Sequence, residues 1–326
     1  MKKVLLLCGG NSPEHSVSLM SAQSILENID KNVFETTCCI INFDNCWYEF
    51  LDNINCIQNW HNKEIRLVTN IIDYLKSFDI VFPITHGNNG EDGKLQGMLD
   101  LFNIKYVGCN TLSSAVGMDK HFSKILFKAL NIPQVPFLTI KKNDFNLDDI
   151  TTTISFPMMV KPANGGSSIG INKANNKRQL KKAIKTAFKF DKKVIIEKYV
   201  EARELECAVL AGKELIISEI GEIKSANEFY DYDAKYKNYK SYTLIPKDLE
   251  PDVCRQIKEY SKKAFIGIEA KDFARIDFFF DEQNKKVYLN EINTIPGFTQ
   301  ISMYPQLLQN SGLSYTDLIT QLLTNS

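Results

Sequence analysis

Three oxygen-bearing side chains, Asp277, Glu291 and Asn293, occur in two strand-like segments near the end of the chain. Residue types alternate in both segments, and the short polar stretch 281–286 between them is typical of an antiparallel hairpin. Folding about the middle of that turn predicts Asp277 nearly opposite Glu291, with a register uncertain by one residue. The same alternation places Arg275 on this face, nearly opposite Asn293.

Two facing carboxylates destabilise a sheet unless a positive charge lies between them. The oxygens of Asp277, Glu291 and Asn293 suit a hard cation that keeps positions open for phosphate oxygens, which describes Mg²⁺. The competing interpretation is a solvated hairpin face whose charges are incidental. The sequence therefore predicts a magnesium site here, with the solvated face as the alternative.

A lysine followed by a glycine- and serine-rich loop forms a second candidate site. A predicted strand delivers Lys161, and the stretch Ala163–Gly170 then presents many backbone N–H groups. Such a loop can bind phosphates because glycine permits close approach of the backbone. The stretch matches neither the Walker A pattern nor the GxGxxG fingerprint, so the loop alone is weak evidence, which Lys161 strengthens.

Carboxylates and a histidine mark further strand ends. Glu197 ends an apolar strand and Glu204 follows it, which suits a purine edge and ribose hydroxyls, although a plain β-edge is the alternative. Glu14 stands in the loop after the first strand, where a carboxylate suits an ammonium group better than a phosphate. His86 follows another strand and is either a ligand contact or a structural loop residue.

The elements that must position these side chains fall into three units, predicted at 1–108, 109–203 and 204–326. The first alternates strands and helices, which predicts a small doubly wound α/β layer. Its predicted elements are strands Val4–Cys8, Thr36–Asn42 and Ile80–Ile84 and helices Val17–Ile29 and Ile71–Ser77. The second and third units predict strands Phe156–Lys161, Ser168–Lys173, Val194–Glu197, Leu205–Leu210, Glu214–Ile220, Phe273–Phe280 and Val287–Ile292, and helices Lys177–Phe190 and Thr316–Leu323.

One further helix is predicted after Asp119, which is a suitable N-cap. Apolar residues recur at helical spacing and predict a stripe formed by Phe122, Ile125, Leu126, Ala129 and Leu130.

The composition is that of an ordinary globular protein of 326 residues, with 44% apolar residues and 39 basic against 39 acidic side chains. The balanced charge gives no reason to expect a nucleic-acid or membrane partner. The apolar run Val4–Cys8 is too short for a signal peptide, and no run is long enough for a membrane helix. The eight cysteines form no CxxC pair, so we expect reduced thiols and a cytoplasmic protein.

Taken together, these motifs resemble those of the D-alanine–D-alanine ligases, a family of the ATP-grasp superfamily. The resemblance runs nearly end to end. It is carried by Gly9-Gly10 with Ser12 and Glu14, His86-Gly87 with Gly90-Glu91-Asp92-Gly93, Met118-Asp119-Lys120, Lys161-Pro162 with Gly166-Ser167-Ser168, Glu197-Lys198, Phe229–Tyr236, Arg275-Ile276-Asp277, Asn290–Thr294 and Pro296–Thr299. It implies an α/β protein of the ATP-grasp fold, in which a doubly wound N-terminal domain precedes two α+β domains that sandwich ATP.

The resemblance also implies roles for individual residues. ATP would be held by Lys120, Lys161, Glu197, Lys198, Val200, Glu204, Phe229, Lys235 and Asn290. Two Mg²⁺ ions, or Mn²⁺, would be held by Asp277, Glu291 and Asn293. The two D-alanine sites would be formed by Glu14, Val17, His86, Lys235, Ser302 and Met303. The catalytic residues would be Arg275 and the Gly297 N–H, at the developing oxyanion, and Glu14, Ser167 and Tyr236, which would latch the loops over the site.

The implied reaction is ATP-dependent joining of two D-alanines through a D-alanyl phosphate, for peptidoglycan precursors, by a protein that we expect to be a homodimer. Three alternatives stay open from the residues. A sister ligase would add D-serine, D-lactate or another amino acid. A kinase-like ATP-grasp enzyme would stop at phosphoryl transfer, and a non-catalytic nucleotide-binding protein would not turn over.

Overall fold

The computed structural model describes residues 1–224 and 242–326 and begins with a mixed five-stranded sheet. Its strands are β1 (Lys2–Gly9), β2 (Phe34–Ile41), β3 (Trp47–Phe50), β4 (Ile65–Leu67) and β5 (Ile80–Pro83), in the order β4-β3-β2-β1-β5. Strand β1 pairs in parallel with β2 and β5, while β3 and β4 add an antiparallel edge. The parallel strands were predicted to within two residues. The short edge strands were not predicted, so the layer is less regular than expected.

The helices of this layer are α1 (His15–Asn28), α2 (Ile71–Lys76) and α3 (Lys94–Leu101), with a 3₁₀ segment at Ile54–Asn62. Helices α1 and α2 were predicted. Helix α1 begins directly after β1, so the loop between them lies at the carboxyl end of a parallel strand, where α/β sheets bind ligands.

Two helices, α4 (Thr111–Met118) and α5 (Lys120–Ala129), follow. Asp119 caps α5 as predicted, by accepting hydrogen bonds from the backbone of His121 and Phe122. The predicted apolar stripe is only partly buried: Leu126 and Leu130 pack against a hydrophobic core, but Phe122 is 55% exposed and Ile125 is 48% exposed. The helix buries Lys120, Ser123, Lys124 and Phe127 instead.

The central sheet is antiparallel and four-stranded. Its strands are β6 (Phe137–Lys141), β7 (Met158–Pro162), β8 (Asn172–Ala174) and β9 (Lys193–Lys198), in the order β6-β9-β7-β8. Helices α6 (Leu147–Thr153) and α7 (Lys177–Ala187) cover one side. The predicted strand Ser168–Lys173 is shorter than expected, since β8 begins only at Asn172.

The third sheet carries the predicted hairpin. Its strands are β10 (Arg203–Leu210), β11 (Ile216–Lys224), β12 (Tyr242–Leu244), β13 (Phe273–Asp281) and β14 (Lys286–Asn293), in the order β12-β11-β10-β13-β14. One face packs on helix α8 (Pro251–Gly267). The other face packs partly on α9 (Met303–Asn310) and α10 (Tyr315–Asn325), which also contact the N-terminal layer.

The cores of these layers cross the predicted unit limits. Phe127 and Ile132 belong to the core of the third sheet, although they precede the central sheet in the chain. The limits 1–108, 109–203 and 204–326 stay predictions. None of the helices within 1–224 and 242–326 is long and apolar enough to cross a membrane.

Candidate active site

The hairpin β13–β14 pairs as the sequence predicts. Asp277 lies opposite Glu291, and Arg275 lies opposite Asn293. Nearer the turn, the register is shifted by one residue, so Asn290 is the extra residue of a β-bulge. The bulge explains the one-residue uncertainty that the alternating pattern left open.

The bulge brings two successive residues of β14 to the same face. Asn290 Oδ1 lies 3.2 Å from Lys161 Nζ. The next residue, Glu291, places Oε2 3.1 Å from Lys120 Nζ. In a regular strand these neighbours would point to opposite faces. The insertion therefore adds a polar group to the site without removing the carboxylate.

Arg275 neutralises part of a cluster of carboxylates on this face. Its Nε and Nη2 donate to the two oxygens of Asp277 at 2.7 Å each, and Nε also lies 2.9 Å from Glu206 Oε2. Asn293 Nδ2 donates to Asp277 at 2.9 Å. The carboxylates of Asp277 and Glu206 raise the pKa of the guanidinium well above its usual value, although burial opposes them. Arg275 is therefore a fixed cation.

Strand β10 adds carboxylates to the same face. Glu206 pairs with Asp277 and Glu204 pairs with Phe279, so both side chains project on the side of Arg275. On residues 1–224 and 242–326 no group of three His, Cys, Asp or Glu side chains has metal-binding geometry. The predicted set includes an amide, Asn293, and its oxygen donors share one face, so its chemistry fits Mg²⁺.

A buried ion cluster lies across the cleft on the central sheet. Glu197 Oε2 is 2.7 Å from Lys161 Nζ, and Glu197 Oε1 is 2.7 Å from Lys124 Nζ. Burial alone would raise the pKa of Glu197, but the two lysines lower it to about 2. Burial also opposes the charge of Lys161, yet attraction by Glu197 raises its pKa. Both charges of that pair are therefore kept at neutral pH.

Lys120 connects the glycine- and serine-rich loop Ala163–Gly170, called the phosphate loop below, with the β13–β14 hairpin. It is the first residue of α5, and its Nζ donates to Gly165 O at 2.9 Å while it faces Glu291. Asp191 holds the start of the loop by accepting from the backbone and side chain of Asn164, at 2.7 and 2.9 Å. The loop is thus tied to both sides of the cleft.

Ser167 and Glu14 join the loop to the N-terminal layer. Ser167 Oγ donates to Glu14 Oε1 at 2.5 Å. A Cβ on Gly166 would lie 2.8 Å from Glu14 Oε2, and one on Gly87 would lie 2.6 Å from the same atom. Both glycines are therefore needed for the carboxylate to keep this position.

His86 uses both ring nitrogens within the protein. Nδ1 lies 3.0 Å from Ile295 O, an acceptor, so it carries the proton, and Nε2 accepts from Ser21 Oγ at 3.1 Å. Ser21 Oγ in turn accepts from the backbone N–H of Phe298. Burial lowers the pKa of His86 in spite of Glu14, so the ring is neutral. His86 thereby positions the segment that contains Gly297.

Glu91 adds a neutral carboxyl group beside these residues. Its Oε2 accepts from the backbone N–H of Gly87 at 3.0 Å and lies 3.9 Å from His86 Nδ1. Burial, with repulsion from Glu14, raises the pKa of Glu91 to about 8. At neutral pH this side chain is therefore mainly protonated.

Family models match most of the chain. The model described as D-ala D-ala ligase N-terminus matches residues 3–109, and the one described as D-ala D-ala ligase C-terminus matches residues 126–324. A D-alanine–D-alanine ligase of Acetivibrio thermocellus is 42% identical, with coverage of 99% of this chain and 95% of the relative. One of Caldicellulosiruptor bescii is 43% identical, covering 99% and 94%. This chain belongs to the D-alanine–D-alanine ligase family.

Solved structures support the same family. The D-alanine–D-alanine ligase of Coxiella burnetii has a TM-score of 0.82 at 30% identity, covering 100% of this chain and 95% of that one. The VanG D-Ala:D-Ser ligase of Enterococcus faecalis has a TM-score of 0.89 at 35% identity, covering 99% and 98%. The predicted α/β fold of the ATP-grasp type is confirmed by these structures.

Several side chains whose roles are suggested by the D-alanine–D-alanine ligase family form contacts within the protein. The Lys198 ammonium donates to the backbone carbonyls of Ser155 and Phe156. Ser302 Oγ accepts from Thr299 N at 3.0 Å. Met303 is buried, and a Cβ on Gly221 would meet its sulfur.

For the other predicted site residues that the structure describes, it shows a position in the fold but no contact that indicates a role. Val17 is buried on α1, and Val200 follows β9. Phe229, Lys235 and Tyr236 lie outside the described residues. The roles suggested by the D-alanine–D-alanine ligase family for all of these residues stay predictions.

Sequence reasoning missed three groups of this site, namely Lys124, Glu206 and the carboxyl of Glu91. Glu206 has a recognisable signal, because Glu204 and Glu206 alternate with apolar residues in a predicted strand. Lys124 stands four residues after Lys120, so both lie on one face of a helix. That signal was hidden by the apolar stripe predicted for the opposite face.

Proposed function

We propose that this protein joins two D-alanine molecules to D-alanyl-D-alanine, converting ATP to ADP and phosphate through a D-alanyl phosphate, and so supplies a peptidoglycan precursor. Curated relatives at 41–43% identity carry that activity in their names. The observation that carries the proposal is a single cleft. Anion-binding lysines line one side, a cation-binding carboxylate face lines the other, and Glu14 lies at the end where the loop meets the N-terminal layer.

In this proposal Lys120 and Lys161 bind the phosphates of ATP. Both amines lie close to the phosphate loop or the hairpin, and Gly165 and Gly166 let the loop backbone approach the same anion. In this proposal the purine edge binds the backbone after β9, and the ribose hydroxyls bind Glu204 on β10, the next strand along the chain. In this proposal the γ-phosphate lies beside Arg275.

Asp277, Glu291 and Asn293 hold the magnesium ions, two by family analogy, with manganese as a possible substitute. The bound metal would offset charge on the phosphates during transfer. Arg275 is shared between Asp277 and Glu206, so it stays close to the carboxylate face. In this proposal the guanidinium also donates to the acyl oxygen.

The chemistry requires two steps that balance. A carboxylate oxygen of the first D-alanine attacks the γ-phosphorus, and ADP leaves. The amine of the second D-alanine then attacks the acyl carbon, loses a proton, and phosphate leaves. Arg275 and the Gly297 N–H stabilise the oxyanion of that second step, where one such donor is worth about 3–4 kcal/mol.

Exclusion of water protects the acyl phosphate from hydrolysis. Ser167 bonds Glu14 and so holds the loop against the N-terminal layer. Tyr236 is the third member of this latch by family analogy. Glu14 in this position faces the ammonium group of the first D-alanine, and His86 keeps the Gly297 segment in place.

A second candidate is ligation of D-alanine to D-serine. It is favoured by the similarity to the VanG D-Ala:D-Ser ligase of Enterococcus faecalis, at 35% identity. The curated D-alanine–D-alanine ligases are more similar in sequence, at 41–43%, so we prefer D-alanine as the acceptor.

The test is phosphate release from ATP, screened across D- and L-amino acids and D-lactate, with mass detection of products. We expect D-alanyl-D-alanine and one phosphate per dipeptide. D-alanyl-D-serine as the main product would overturn the preferred acceptor. A stable phosphorylated product, or ATP binding without turnover, would overturn ligation itself.

The setting of the enzyme belongs to the same proposal. We propose that it works in the cytoplasm, where ATP and free amino acids are available. We propose a homodimer without nucleic-acid or membrane partners, and sedimentation analysis of the purified protein tests the dimer.

A further inference from the structure

Lys124 is a buried lysine to which the proposed mechanism gives no task. Its side chain is only 1% exposed, and its Nζ lies 2.7 Å from Glu197 Oε1. The amine also lies 5.3 Å from the centre of the Phe137 ring. Burial lowers the pKa of Lys124 despite Glu197, which shows that this position is costly for a cation. A buried charge of this kind needs a reason.

The surroundings show what Lys124 acts on. Phe137, Glu197 and Met159 are aligned across β6, β9 and β7, and Lys161 follows Met159 by two residues. All these side chains therefore share one face of the central sheet, and Lys124 of α5 approaches that face at Glu197 and Phe137. Glu197 lies between the two lysines, and each of its oxygens takes one ammonium group.

The number of N–H donors on Lys161 determines whether it can also bind an anion. An ammonium group has three N–H donors. One donor of Lys161 reaches Glu197 Oε2 and a second reaches Asn290 Oδ1 at 3.2 Å, so within residues 1–224 and 242–326 the third remains for an anion in the cleft. If both oxygens of Glu197 were available to Lys161, the carboxylate would compete for that third donor.

We propose that Lys124 is a positioning residue for nucleotide binding. It occupies Glu197 Oε1, fixes the plane of the carboxylate, and thereby directs Lys161 toward the phosphates of the nucleotide. This inference rests on the proposed function only in taking ATP as the nucleotide. Glu204 and Glu291, across the cleft, also attract Lys161, so its direction depends on a restraint from the central sheet.

Helix α5 carries both Lys120 and Lys124 on one face. Lys120 and Lys124 are separated by four residues and lie on the same buried face, while Phe122 and Ile125 face outward. Lys120 contacts the loop and the hairpin, and Lys124 contacts the central sheet. The helix therefore sets the spacing between two lysines that act on the nucleotide, one directly and one through Glu197.

The experiment measures nucleotide affinity by calorimetric titration of ATP into the full-length protein, together with the KM values for ATP and D-alanine. Lys124→Met and Lys124→Gln remove the cation, and Lys124→Arg keeps it. Lys128→Met is the matched control, because Lys128 is exposed one turn further along α5. Thermal unfolding of every variant reports on the fold.

We expect Lys124→Met to weaken ATP binding about tenfold or more, in line with the loss of a charge-assisted bond. The KM for D-alanine should change less than about threefold, and Lys124→Arg should restore most of the ATP affinity. In a Glu197→Gln background, Lys124→Met should have almost no further effect, because the two residues act as one unit. Lys128→Met should match the unmodified protein.

Other outcomes would overturn the inference. Equal losses for ATP and D-alanine that follow the loss of thermal stability would show a purely structural lysine. Additive effects of Lys124→Met and Glu197→Gln would show that Lys124 does not act through Glu197. If Lys124→Met does not fold, Lys124→Gln gives the same comparison. Failure of the unmodified protein to form dipeptide while it binds ATP would reject the proposed function but leave this inference standing.

Discussion

The two sides of the cleft carry opposite net charge, and they also differ in how deeply their charged side chains are buried. On the central sheet, Glu197 lies between two lysines, and the three side chains are between 1% and 7% exposed. On the hairpin, Asp277 is 13% and Glu291 25% exposed. The first side is a closed cluster that keeps an excess of one positive charge, and the second is an open face with an excess of carboxylate.

The two clusters differ in whether their charged groups are fixed before a ligand binds. A buried cluster has paid its desolvation cost on folding, so its charges are held in place before the substrate arrives. An open carboxylate face stays hydrated and can exchange water for a cation. In the proposed function, the buried cluster would bind the anionic phosphates and the open face would bind an exchangeable cation, as transfer of a phosphoryl group requires.

The largest effect on turnover is expected from a substitution on the exposed carboxylate face of the hairpin. Glu291→Ala removes a proposed metal ligand and the partner of Lys120, and should lower turnover in Mg²⁺ about a hundredfold or more, since metal stabilisation is worth several kcal/mol. Thermal unfolding should change little, because Glu291 is partly exposed. Glu282→Ala, in the turn of the same hairpin, is the control. Near-normal turnover of Glu291→Ala would reject the metal assignment.

Arg275→Lys is expected to have the next largest effect. A lysine cannot donate to both oxygens of Asp277 and also meet Glu206 as the planar guanidinium does. We expect kcat to fall by about two orders of magnitude with a smaller change in KM, because the guanidinium meets charge that develops in the transition state. A defect confined to the KM for D-alanine would contradict this role.

Gly166→Ala tests how the loop of the fixed side is joined to the N-terminal layer. The new methyl group would lie 2.8 Å from Glu14 Oε2, so the carboxylate must move away from Ser167. We expect a roughly tenfold loss of kcat/KM for D-alanine, the size of one charge-assisted hydrogen bond, and more ATP hydrolysed per dipeptide formed. Gly165→Ala is not a neutral comparison because its φ of 140° is itself unfavourable for alanine.

A cleaner control for this loop is Gly97→Ala, in helix α3, where the nearest atom to a new Cβ is 3.4 Å away. It should retain full activity. If Gly166→Ala retained both normal D-alanine kinetics and a one-to-one ratio of ATP to dipeptide, the contact between Glu14 and Ser167 would have no part in substrate binding or closure.

The hairpin shows how far the sequence alone leads. Period two predicted the facing pairs of β13 and β14 correctly, because alternation survives in both strands. The bulge at Asn290 was not predictable, since it depends on how β14 accommodates Lys161 from another sheet. Residues of several motifs that carry the family resemblance do contact one another, namely Glu14 with Ser167, Lys120 with Glu291, and Lys161 with Glu197 and Asn290. The motif at Phe229–Tyr236 lies outside the described residues.

Helix α5 shows where sequence reasoning fails. An apolar stripe normally faces a core, but here tertiary contacts override it. Lys120 and Lys124 find buried carboxylates at Glu291 and Glu197, and these ion pairs outweigh the exposure of two apolar side chains. Such a reversal depends on partners more than seventy residues away, so no local pattern can indicate it. Functional sites are where local rules are expected to break.

The smallest expected effect is on stability and concerns Glu91, a carboxyl group that differs from both clusters because it is mainly protonated at neutral pH. Unlike Glu197, which is kept ionised, Glu91 is partly buried near Glu14, and desolvation raises its pKa from 4.5 to about 8. A carboxyl group with a raised pKa stabilises the fold below its unfolded pKa, and this contribution is lost as the pH rises through about 8. We therefore expect stability to decline between pH 5 and pH 8.5 partly because of this one group.

Glu91→Gln mimics the protonated carboxyl and keeps an oxygen to accept from the backbone N–H of Gly87. The variant should be more stable than the unmodified protein at pH 8.5, by about 1–3 kcal/mol, because one pH unit of displacement is worth about 1.4 kcal/mol and relaxation reduces the total. Near pH 5 the two proteins should unfold at nearly the same temperature. The measurement is thermal unfolding at half-unit steps from pH 5 to pH 9, with Asp92→Asn as a control for an adjacent acidic residue whose side chain is engaged by Lys94 at the surface. Parallel stability curves for Glu91→Gln and the unmodified protein would show that Glu91 is ionised throughout, and the neutral carboxyl beside His86 would have to be abandoned.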